Sequence, residues 1–103
     1  MLRREPFADL VRRQLQLFER QQEELIRNVE EAERAFERAV RDEAEERYGD
    51  LQDLVETGTE RLAVLRDNYA ASLDEETAEM YEVAFNRAAA RRLPRFALEL
   101  GDF

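Results

Sequence analysis

Residues 7–48 contain neither Gly nor Pro, and apolar side chains recur through them at alternating spacings of three and four. Two rows form the seam, Val11, Phe18, Leu25, Ala32 and Ala39 in one, and Leu15, Gln22, Val29, Phe36 and Glu43 four residues after each of them in the other. This pattern predicts one helix over residues 6–48, begun by Pro6, whose missing N–H and fixed φ suit a first helical position. Leu10, Leu17, Ile26 and Val40 stand one residue to either side of the first row and widen the stripe, which favours a bundle over a two-stranded zipper. Gln22 in the seam either fixes register or flares to solvent.

Gly49 suits the left-handed position after a helix, and Asp50 suits the N-cap of the next. Leu51, Val55, Gly58, Leu62, Leu65 and Tyr69 again recur at alternating spacings of four and three and predict a second helix over residues 50–72. Thr57 and Glu60 form a capping box that could restart a helix there, but the unbroken phase argues for continuity. In a continuous helix Gly58 faces the seam and leaves a notch for a large side chain such as Phe36. A third helix is predicted over residues 74–93, with Ser72 and Asp74 competing to cap it. Ala78, Tyr81, Phe85, Ala88 and Arg92 form its seam, and Pro94 stops it. Residues 94–103 place large apolar side chains at every second position and predict an extended tail.

Short connections make consecutive helices antiparallel neighbours. A second helix of this length reaches only part of the first, leaving Phe7, Leu10, Val11, Leu15, Leu17 and Phe18 uncovered. The expected architecture is therefore all-α: an antiparallel three-helix unit over residues 1–93 with one long first helix, paired as a twofold homodimer through that arm. A break near Gln22 is the alternative, letting residues 7–20 fold back within one chain. Phe96, Leu98, Leu100 and Phe103 in the tail either dock in a partner protein or pack on their own bundle.

Composition agrees with helices, since 40% of the 103 residues are charged and only three are Gly and two Pro. The net charge is −9 and unevenly placed: residues 1–29 carry +1, 30–60 carry −8, 61–82 carry −4 and 83–103 carry +2. This balance argues against a nucleic-acid or anionic-membrane surface, and a third helix returning toward the turn brings Arg87, Arg91, Arg92 and Arg95 near an acidic tip built from Asp42, Glu43, Glu45, Glu46, Asp50 and Asp53. No segment has the apolar length of a membrane span. The two arginines at positions 3 and 4 lack a following apolar run, so a cytoplasmic setting is expected.

The chain has no Cys and no His, which removes disulfides, thiolate chemistry, imidazole bases and most transition-metal ligand sets. Glu30 and Glu33, Glu43 and Glu46, and Glu76, Glu79 and Glu82 put carboxylates three residues apart on helices, as Mg²⁺-dependent all-α nucleotide hydrolases do. Among so many acids such pairs arise by chance. No cofactor is expected, and Tyr48, Tyr69 and Tyr81 read as core residues with their hydroxyls at the rim. The function expected is a non-enzymatic oligomerisation or protein-interaction module, with a Mg²⁺-dependent hydrolase subunit as the alternative.

Overall fold

A computed structural model describes residues 6–102, whose regular elements are all helices, with no strand among them. The helices are α1 (Ala8–Gln21), α2 (Glu23–Arg38), α3 (Arg41–Ala70), α4 (Glu75–Arg92) and α5 (Pro94–Ala97), followed by a 3-10 turn, Leu100–Asp102. α1 and α2 lie end to end along α3 and antiparallel to it. Phe36 meets Tyr48 near one end, and Gln22 accepts a hydrogen bond from Arg61 in the middle. α4 returns parallel to α1 and closes that half of the molecule, with Tyr81 against Phe7 and Arg92 against Glu19.

The helix expected over residues 6–48 is divided twice. At Gln22 the backbone leaves helical geometry (φ −107, ψ 22), although its N–H still reaches Phe18 and its carbonyl still accepts from Ile26. This kink occurs where the seam turns polar, and α1 does not fold back from it. The second division is a reversal: Ala39 and Val40 adopt extended dihedrals and turn the chain into α3.

Moving the hairpin from Gly49 to residues 39–40 resolves the length mismatch. α3 has 30 residues, about 45 Å at 1.5 Å per residue, and so spans both α1 and α2 within a molecule whose longest dimension is 53 Å. Burial of the whole arm outweighs the turn preference of Gly49, which lies exposed inside α3 without a positive φ. Charge also marks the hairpin: Arg38 ends α2, and Asp42 and Glu43 follow Arg41 in the first turn of α3, these three signs favourable to their helix dipoles.

The seam itself holds through residue 36. Val11, Leu15, Phe18, Leu25 and Val29 are buried with Leu51, Leu62, Ala63, Tyr81, Phe85 and Ala89 in one core. α1 starts two residues later than Pro6, with Phe7 as its N-cap in the left-handed region (φ 69). That conformation costs a non-glycine residue about 1–2 kcal/mol, and the Phe7 ring is held edge-on to Tyr81 at 5.6 Å. Asp74 rather than Ser72 caps α4, its carboxylate accepting the Thr77 N–H at 2.9 Å.

The C-terminal segment is compact rather than extended. Phe96 and Leu100 are buried four residues apart, as a helical turn requires, while Leu98 points away at 87% exposure. Arg92 and Arg95 pair with Glu19 and Glu33, not with the acidic tip. α4 runs beside α1, so its arginine-rich end stops halfway along the molecule.

Candidate functional site

The ten residues expected to make external contacts are divided by the fold. Val11, Leu15, Phe18, Phe96 and Leu100 are buried within the chain itself, and Phe7 and Leu10 are partly buried against the same core. Leu17 and Leu98 remain exposed. Phe103 lies outside the described residues. The stripe on α1 that argued for a second copy is thus covered within its own chain, chiefly by α4.

The C-terminal segment is held by three contacts along α3. Phe96 fits the notch at Gly58, the place expected for Phe36, and its ring stands edge-on to Phe18 at 6.3 Å. The Thr59 hydroxyl lies 2.7 Å from the Phe96 carbonyl oxygen and donates to it, with the Val55 carbonyl as the competing acceptor at 3.0 Å. Arg66, 4% exposed, donates from Nη1 to Asn86 Oδ1 at 3.0 Å and to the Leu100 carbonyl at 3.1 Å, and from Nε to Asp67 Oδ1 at 2.9 Å. A buried guanidinium is tolerated where its donors are used in this way. Among the described residues no buried side-chain polar atom lacks a partner.

Tyr81 is the centre of a second cluster. It is fully buried, packed against Tyr69 at 4.8 Å, Phe7 at 5.6 Å and Phe85 at 5.9 Å, and its hydroxyl donates to Gln14 Oε1 at 2.8 Å. Burial pushes its pKa up to about 12, because the phenolate would lose its hydration there. This hydroxyl joins α4 to α1. Its hydrogen-bond partner is an amide, so the contact itself ties two helices together.

The carboxylates of the hydrolase alternative are dispersed. Glu33 is paired with Arg95, Glu43 and Glu46 stand on the exposed start of α3, and Glu76, Glu79 and Glu82 lie on α4. Among the described residues no three acidic side chains converge to hold a metal ion. Nor is any described helix long and apolar enough to cross a membrane.

Two surface recesses bear on contact with other molecules. A groove of about 520 Å³ runs between the first half of α3 and the C-terminal segment, with Tyr48, Leu51, Val55, Pro94 and Leu98 among its walls. A shallower apolar recess of about 350 Å³ lies on the outer side of α4, lined by Pro6, Glu79, Met80, Val83, Ala84 and Arg87. Met80 and Val83 are 50% and 56% exposed, on the side of α4 opposite the buried Tyr81, Phe85 and Ala89. Sequence reasoning that followed the inner seam passed over them, although their signal is present. They fall out of phase with that seam and define a second apolar stripe on the same helix. Comparison with known protein families, with curated proteins and with solved structures found no match.

Proposed function

We propose that this chain is a small non-enzymatic helical module that works by binding protein, with the outer face of α4 as its contact surface. The observation that carries the reading is the exposure of Met80 and Val83 side by side on a helix whose other face is fully buried. A helix with one apolar face needs only one neighbour, and α4 already has its own in α1 and α3. A second apolar stripe has no use within the chain. Exposed apolar surface beside charged residues marks contact sites in soluble proteins. The cytoplasmic setting belongs to the same proposal and rests on sequence alone.

Methionine oxidation tests it. Met80 is expected to oxidise readily in dilute purified protein and to be protected when the chain is footprinted at its native level in cells. Full oxidation of Met80 in cells, with the buried core intact, means that nothing covers this face and removes the reading.

A further inference from the structure

We infer that the occupant of the α4 face is a second copy of this chain, packed antiparallel about a twofold axis between Met80 and Val83. The inference rests on the α4 face being a contact surface and adds the partner and its geometry.

The outer stripe of α4 has a heptad of its own. Glu76, Met80, Val83, Arg87 and Ala90 follow one another at spacings of four, three, four and three, and all but the two apolar residues and Ala90 are charged. Each of the five is exposed. The order along the stripe is acid, apolar, apolar, base. Two such stripes laid antiparallel put Met80 of each copy against Val83 of the other, and the same register puts Glu76 of each against Arg87 of the other. Laid parallel, they put Glu76 against Glu76 and Arg87 against Arg87, a like-charge arrangement at both ends. The charge order therefore matches a twofold copy of itself, in the antiparallel sense alone. The flanking charges extend the pattern, with Glu75 and Glu79 toward the start of the helix and Arg91 toward its end.

Arg87 already has an interaction within its own chain. Its cross-axis pairing with Glu76 is solvent-exposed and so sets orientation more than affinity. Affinity comes from Met80, Val83 and the recess formed with Pro6 and Ala84. One helix face per copy is a small interface, and association in the micromolar range is expected.

The test is the mass of the full chain in solution by sedimentation equilibrium across a concentration series. The mass is expected to rise from 12.2 kDa toward twice that value, and V83E is expected to weaken association at least tenfold while leaving the melting temperature of the monomer unchanged. E76R and R87E each weaken association several-fold, and the double variant E76R/R87E restores it. A monomer at every concentration overturns the inference, and so does a dimer indifferent to V83E. Protection of Met80 in cells together with a strictly monomeric purified chain overturns self-association but leaves the contact surface standing, with a different protein as its partner.

Discussion

The Phe96 ring lies against the bare backbone of Gly58 so closely that a Cβ built on Gly58 would come within 2.7 Å of Phe96 Cζ. The two residues belong to different helices, and the absence of one side chain is the site of the other. Gly58→Ala gains about 1 kcal/mol of helix propensity, but it forces Phe96, 3% exposed, out of a packed position at a cost of about 1–3 kcal/mol. The net expected in chemical denaturation is destabilisation by about 1 kcal/mol. In a Phe96→Ala background the same change becomes stabilising. A Gly58→Ala variant more stable than the parent when Phe96 is present contradicts the packing.

Arg66 is expected to hold the C-terminal segment in place. Arg66→Met leaves the Leu100 carbonyl and Asn86 without their donor and should cost about 2 kcal/mol. Amide exchange should then rise in residues 94–102 before it rises in α3. Unchanged protection of that segment would show that Phe96 and Leu100 anchor it unaided.

Tyr81 links stability to alkaline pH. Its folded pKa of about 12 exceeds the ordinary value of 10.0, so the folded state holds its proton where the unfolded state has released it. Stability is intact below pH 10 and declines as pH rises from 10 toward 12, by about 1.4 kcal/mol per unit from this group. Tyr81→Phe should flatten that decline in urea titrations. A decline of equal slope in Tyr81→Phe assigns the effect to other groups.

Asp74 works in the opposite direction. Its pKa is lowered chiefly by the Thr77 backbone N–H and next by the Thr77 hydroxyl. The ionised cap is the form the fold prefers, so its contribution is present above the ordinary carboxylate value of 3.8 and disappears as pH falls below it. Asp74→Asn keeps an N-cap that does not titrate. Its melting temperature should depend less on pH in the acid range than that of the parent, and an identical acid dependence would detach Asp74 from the effect.

Much of the core was legible from spacing alone. Val11, Leu15, Phe18, Leu25 and Val29 fall on the heptad seam and are buried, and helix α3 continues through Gly58 as its unbroken phase requires. The turn was harder to locate because Ala39 and Val40 carry no Gly, Pro or capping side chain, whereas Gly49 and Asp50 carry a turn signature the fold does not use. A tertiary requirement, covering the whole arm, overrode a local preference. The seam did register the event, since Glu43 is the first charged residue at a core position. In the C-terminal segment, alternation over so few residues also fits a helical turn with Phe96 and Leu100 four apart. On α4 the inner stripe drew attention from the outer one.

The hairpin at residues 39–40 also bears on the order of folding. It brings Phe36 to Tyr48 across a short stretch of chain, whereas Gln14 meets Tyr81 across 67 residues and Glu19 meets Arg92 across 73. Loop-closure entropy favours the near pairing first, so α2 and α3 form the nucleus on which α1, α4 and the C-terminal segment later assemble. Substitutions at Phe36 are then expected to slow refolding, while substitutions at Phe96 chiefly hasten unfolding. The acidic end of the molecule, farthest from the α4 face, is where the chain begins to take shape.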